Sequence, residues 1–110
     1  MKENDIIEGV ELGSLDLYLD FEGVKEDKIH IKVFEIIDKD TLPLKDVNCS
    51  IAEYSKKRLK FIRKKFLTQS NNQGMIILEK DLDTDFLCID FPGYNVKVVN
   101  YKDFSACLNP

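Results

Sequence analysis

Tryptophan is absent from this chain, histidine occurs once, and no apolar stretch approaches the ~20 residues that a membrane-spanning helix needs. A lone His30 cannot supply a histidine-rich metal site, and its place in a strand-like run beside Lys32 reads as an ordinary polar strand residue. There is no Ser nucleophile elbow between glycines and no Gly-rich phosphate loop, so the common hydrolase and nucleotide-binding signatures are missing. Cys49, Cys88 and Cys107 include no C-x-x-C pair, which argues against a structural zinc site or a dithiol redox motif. Cys49 and Cys88 lie inside apolar runs and read as small core residues; spacing does not decide whether they pair in an oxidising compartment. Cys107 is the thiol expected to be most exposed. Met1 to Gly9 is charged and has no apolar run behind it, unlike a secretory signal. The chain is therefore expected in the cytoplasm if Met1 is its native start, and outside it if it is cut from a longer precursor.

What is present fits one folded domain. The chain has 110 residues, 44% hydrophobic and 33% charged, with seven Phe and four Tyr to fill a core. Net charge is −4 and the pI about 5.0, so the overall field does not favour nucleic acid or an anionic membrane.

Residues 1–13 mix charge and apolar side chains without a clear period and read as a loosely ordered lead-in to a single domain over 14–110. From Ser14 to Phe21, Leu15, Leu17, Leu19 and Phe21 alternate with polar residues, the pattern of a half-buried strand, and Glu22-Gly23 is expected to end it. Ile29 to Ile37 is a second strand, with Ile29, Ile31 and Val33 on one face. Asp38 to Pro43 is a turn-rich connection, and Pro43 suits an edge or a strand start. Val47, Cys49 and Ile51 mark a third strand, Met75 to Glu79, Phe86 to Phe91 and Asn95 to Tyr101 three more. Residues 54–68 fit either a helical stripe or two strands joined at Ser55-Lys56-Lys57-Arg58. The two-strand reading is favoured, because its neighbours on both sides are strands.

Three short signatures punctuate these runs: Thr41-Leu42-Pro43-Leu44 with Val47, then Thr68-x-Ser70-x-x-x-Gly74-x-Ile76, then Phe91-Pro92-Gly93-Tyr94. Pro43 fixes φ at the re-entry to a sheet, Gly74 permits a tight turn, and Gly93 lets Tyr94 fold back over the end of the domain. In this order the signatures resemble those of the carboxypeptidase regulatory-like domains, part of the transthyretin-like group of β-sandwiches. The resemblance covers roughly residues 29 to 101. The connection from Ile51 to Thr68 is long for that family, and the strand before Phe21 precedes its usual start. The resemblance implies an all-β, antiparallel β-sandwich of about seven strands that serves as an accessory or assembly part of a larger system, cell-envelope and secretion machinery included. Hydrolases of the wider group use several histidines and an arginine, which this chain does not match.

The clearest local anomaly is electrostatic. Residues 56–65 read Lys-Lys-Arg-Leu-Lys-Phe-Ile-Arg-Lys-Lys, seven basic residues without an acid. The rest of the chain then holds nine positive against 20 negative charges, or −11. Lys56, Lys57, Arg58, Lys60, Arg63, Lys64 and Lys65 are thus the candidate residues for binding a partner or an anion, most simply another protein with an acidic surface. The plainer reading is a solvated hairpin whose lysines keep an edge from pairing. A second functional reading is a sensor of a small anionic ligand held by Arg58, Arg63 and Ser70. The cyclic-dinucleotide-binding PilZ barrels use such residues, but Arg58 and Arg63 are one position too far apart for that motif. Asp81, Asp83 and Asp85 alternate like calcium ligands but lack the accompanying Gly and Glu, and read as a solvated turn. No catalytic residue, metal site or cofactor is expected, and an exposed edge strand leaves room for self-association.

Overall fold

Ile29, Ile31 and Val33 are fully buried, whereas His30, Lys32 and Phe34 between them are half-buried. One strand therefore meets the core with every second residue, as its sequence alternation requires. In the computed structural model, which describes residues 5–7 and 15–102, the secondary structure is almost entirely strand. The strands are β1 (Asp5–Ile7), β2 (Tyr18–Lys25), β3 (Lys28–Ile37), β4 (Asp40–Pro43), β5 (Asn48–Ser55), β6 (Lys60–Gln69), β7 (Met75–Glu79), β8 (Phe86–Asp90) and β9 (Lys97–Asn100). They form two antiparallel sheets. The first runs β1-β6-β5-β8-β9; the second runs β2-β3-β4, with β7 also paired to β3. Ile29, Ile31, Val33, Ile76 and Leu78 of the second sheet share one core with Cys49, Leu87 and Ile89 of the first, so the architecture is a β-sandwich. Burying each such aliphatic side chain contributes about 1.5–3 kcal/mol.

Several expectations are corrected. Nine strands are present among the described residues, against about seven expected. Glu22-Gly23 does not end β2. It forms a bulge, with Gly23 at φ 109, that lets β2 continue to Lys25 and returns Val24 to the inward face of Leu19 and Phe21. The turn beyond it uses Glu26 and Asp27, both at positive φ, as a two-residue hairpin requires. Asp38 and Lys39 do the same between β3 and β4, so the supposed connection contains a strand. Within the expected lead-in, Asp5–Ile7 forms β1 on the edge of β6; the rest of 1–13 lies outside the described residues. Of the run from Ser14, only Tyr18 onward is β2; Leu15 makes an isolated parallel bridge to Tyr94, and Ser14 lies outside the described residues. Residues 54–68 are the end of β5, a turn and most of β6, in agreement with the two-strand reading.

Pro43, Ser70 and Gly74 meet at one knot on β3. Val33 donates its N–H to the Gly74 carbonyl (2.7 Å), and its own carbonyl accepts from Leu44 N–H (3.0 Å). Gly74 at the head of β7 and Leu44 just past β4 are thereby held by a single residue. Ser70 is buried; its Oγ accepts from Val47 N–H (2.9 Å) and donates to the Leu44 carbonyl (2.6 Å). Asn71 Oδ1 accepts from Gln73 N–H and Met75 N–H, closing the turn that delivers Gly74. Pro43 also disarms the β4 edge. The two-residue turn makes Ile37 and Asp40 a hydrogen-bonded pair, so Leu42 also faces β3 while Thr41 and Pro43 face outward. Proline there leaves one fewer outward donor for a foreign strand.

Cys49 and Cys88 are both free thiols. Cys49 lies opposite Ile89 and Cys88 opposite Ser50, so they point to different faces of the first sheet and cannot be bridged. Burial, with Cys88 and Asp90 adding to it, pushes the Cys49 thiol well above its ordinary range. Cys107 lies outside the described residues.

Candidate functional site

The basic stretch forms the outer half of the β5–β6 hairpin. Ser55 pairs with Lys60, and residues 56–59 make the turn, where Arg58 N–H donates to Ser55 Oγ at 3.2 Å and Leu59 adopts φ 56. Leu59 is 74% exposed, the largest exposure among the big apolar residues described. β5 pairs with β8 only as far as Ala52↔Phe86, whereas it pairs with β6 to its last residue. The hairpin therefore projects past β8, while on its other side β1 follows β6 as far as Phe61.

The seven candidate residues do not form one surface. Lys56, Lys57, Arg58, Lys60 and Lys65 are exposed and Lys64 is half-buried, but Arg63 is only 7% exposed. Arg63 stands opposite Ala52 and reaches across β5 to β8. Its Nη2 lies 3.6 Å from Asp90 Oδ2 and donates to Cys88 Sγ at 3.8 Å. The guanidinium is thus committed to an internal ion pair on the outward face of the first sheet. Ala52 and Cys88 are buried on that face, with Phe61, Phe86, Val96 and Val98 packed around them. Phe61 sits edge-on to both Tyr54 and Phe86, with ring centroids 5.2 and 4.9 Å apart.

The residues suggested for an anion sensor are likewise kept apart. Arg58 is in the turn, Arg63 is inside the sheet, and the Ser70 hydroxyl is committed to backbone groups just past the far end of β6. A strand of ten residues spans roughly 33 Å, so Arg58 and Ser70 cannot share a small ligand.

Beside the hairpin lies a groove of 580 Å³. Lys56, Lys64 and Lys65 contribute positive charge to it, and Glu53, Asp83 and Asp85 contribute negative charge. Ile51, Tyr54 and Phe86 supply apolar surface. The acidic turn read from the sequence therefore faces part of the basic stretch, a juxtaposition that linear charge counting misses. Asp85 also pairs with Lys102 at 3.1 Å, both exposed. Among the described residues no cluster of three metal-ligating side chains occurs, and no helix is long and apolar enough to cross a membrane. His30 is half-buried in mid-strand between Gly23 and Ile77.

At the other end, Tyr94 folds back as its motif suggested. Its ring tilts against Phe91 at 5.5 Å and its hydroxyl donates to Glu35 Oε2. That hydrogen bond, with burial and the nearby carboxylate charge adding to it, pushes the Tyr94 hydroxyl up to about 12. Because the folded value lies above the unfolded one, near 10, the contribution to stability is complete below pH ~10 and is lost as pH rises toward ~12. Alkaline unfolding of Tyr94→Phe should accordingly show a shallower decline across that window than the parent. Identical slopes would show that the Glu35 contact does not hold the proton. Comparison with protein-family models, with curated proteins and with solved structures finds no match.

Proposed function

We propose that this chain is a non-catalytic binding module, an assembly component that engages an acidic surface of another protein through its projecting β5–β6 hairpin. The carrying observation is the exposure of Lys56, Lys57, Arg58 and Lys60 around a turn that extends beyond β8, with Leu59 at its tip. Four cations in five residues raise the local concentration of an acidic partner, and an exposed Leu beside them offers apolar contact once the partner arrives. The resemblance of the three turn signatures to the carboxypeptidase regulatory-like domains supports the same kind of use, since it implies an accessory or assembly part of a larger system.

The test replaces Lys56, Lys57, Arg58 and Lys60 together by Glu and measures binding of polyglutamate by titration at low salt. The parent should bind with an affinity that falls as salt rises, and the variant should lose binding by at least about tenfold. It should stay folded, because exposed surface changes of this kind cost within about 0.5 kcal/mol each, about 2 kcal/mol at most for the four together. Equal binding by parent and variant would remove the hairpin from consideration.

A further inference from the structure

Six non-glycine residues among those described adopt positive φ: Glu26, Asp27, Asp38, Lys39, Asp46 and Leu59. Five are polar, and three of those are Asp, whose short side chain tolerates the left-handed region. Leu59 is the exception. At φ 56 it closes the turn 56–59, directly before Lys60 pairs with Ser55. Glycine or asparagine would hold that conformation at lower cost. Packing does not offset the strain, since Leu59 is 74% exposed and belongs to neither hydrophobic cluster of the sandwich. An exposed leucine alone is ordinary on a protein surface. A leucine held in a strained conformation and also left in water breaks two local rules at once, the mark of a position shaped by use rather than by folding. Its setting is equally specific: exposed Lys56, Lys57 and Arg58 precede it and exposed Lys60 follows. Lysines alone would guard an edge against pairing, and a leucine among them adds nothing to that task.

We infer that Leu59 is the specificity-determining contact of the hairpin and that the partner protein offers it an apolar spot flanked by carboxylates, an inference that rests on the hairpin reading above. The four cations attract any polyanion, but exposed charge pairs are screened by salt and each contributes little. They also do not separate an acidic protein from a phosphate-bearing polymer. Leu59 does. Its exposed surface leaves water only against carbon, so a uniformly charged partner gains nothing from it. An apolar partner without acids would instead have to desolvate the neighbouring cations with no charge to face them. The tip is ready for such a contact before binding. Arg58 N–H donates to Ser55 Oγ, and the Ser55–Lys60 pair closes the turn, so little ordering of the backbone remains to oppose association.

The experiment titrates the full chain at low salt with blocked nonaglutamate and with the same peptide whose three central residues are Leu. Charge alone makes the second peptide the weaker ligand, because it has lost a third of its carboxylates. It should nevertheless bind at least about fivefold more tightly. Leu59→Asn should abolish that preference and leave nonaglutamate affinity within about twofold. It should also raise the melting temperature by ~2–6 °C, since asparagine enters the left-handed region at lower cost. Leu59→Met, which keeps both the apolar side chain and the strain, should retain the preference. No preference in the parent, a preference that survives Leu59→Asn, or one that Leu59→Met loses overturns the inference. A fall in melting temperature with Leu59→Asn also overturns it, because Leu59 would then serve the fold. In each of these cases the hairpin reading stands if nonaglutamate binding still depends on Lys56, Lys57, Arg58 and Lys60. Failure of both peptides to bind overturns both.

Discussion

Gly74→Ala should destabilise the protein by about 3–5 kcal/mol and lower its melting temperature by more than ~12 °C. Two costs add. Gly74 sits at φ +75, where any side chain loses roughly 1–2 kcal/mol. A Cβ there would also stand 2.6 Å from the Val33 carbonyl oxygen, 2.9 Å from Pro43 Cβ and 3.0 Å from Leu44 N. None of these is the end of a flexible side chain. Moving the Val33 carbonyl loosens its bond from Leu44, and moving Gly74 loosens the bond from Val33. β4 and β7 therefore part from β3 together, since Val33 is where both are fastened. Gly93→Ala is the control: φ is +88, but nothing lies within 4 Å of the added atom, so only about 1–2 kcal/mol should be lost. Comparable losses in the two variants, measured by urea unfolding, would show that backbone strain alone sets the cost and that the knot does not.

The same residues show how far the sequence was legible. Proline before a strand, a serine two residues past a threonine, and a glycine four residues later mark places where backbone geometry restricts the side chain. Such restrictions are local, and the signatures at Gly74 and Gly93 locate their turns correctly, whereas Pro43, read as a re-entry to a sheet, is the last residue of β4. Strict alternation likewise placed Ile29, Ile31 and Val33 inward. Alternation failed where the backbone inserts a residue. In β6, Lys60, Ile62, Lys64 and Phe66 read as one face. Two irregularities against β5, at 49/50 and 51/52, put Arg63 opposite Ala52 and Phe66 opposite Ser50, on the same outward face. Nothing in Lys-Phe-Ile-Arg-Lys-Lys-Phe-Leu announces them, because a bulge is decided by what the neighbouring strand offers. The Glu22-Gly23 bulge was misread as a strand end for the same reason. The groove was illegible for a different one: its basic residues lie on β6 and the β5–β6 turn, while Asp83 and Asp85 arrive from the β7–β8 connection. Only the topology brings them together.

Arg63 is the candidate residue whose meaning changes most, and its substitution separates fold from site. Asp90→Ala should cost about 1–3 kcal/mol, because it removes a carboxylate 3.6 Å from a guanidinium held beneath the surface. Arg63→Met should cost less. It removes the charge that is harder to solvate and keeps much of the apolar stem, while the Asp90 side chain, 19% exposed against 9% for that of Arg63, can turn toward water. The double variant should be more stable than Asp90→Ala alone, with a coupling of at least about 1 kcal/mol, as expected for a pair whose desolvation offsets much of its attraction. Single losses below about 0.5 kcal/mol that simply add would show that 3.6 Å of separation brings no coupling. The binding measurement makes the distinction functional. Arg63→Met removes one of the seven cations of residues 56–65, yet polyglutamate affinity should change less than about twofold, whereas the four-residue hairpin variant should lose at least tenfold. Should Arg63→Met weaken binding as much as the hairpin variant, the partner must reach the outward face of the first sheet. The cations there would then have to act as one field rather than as an exposed group and a buried pair.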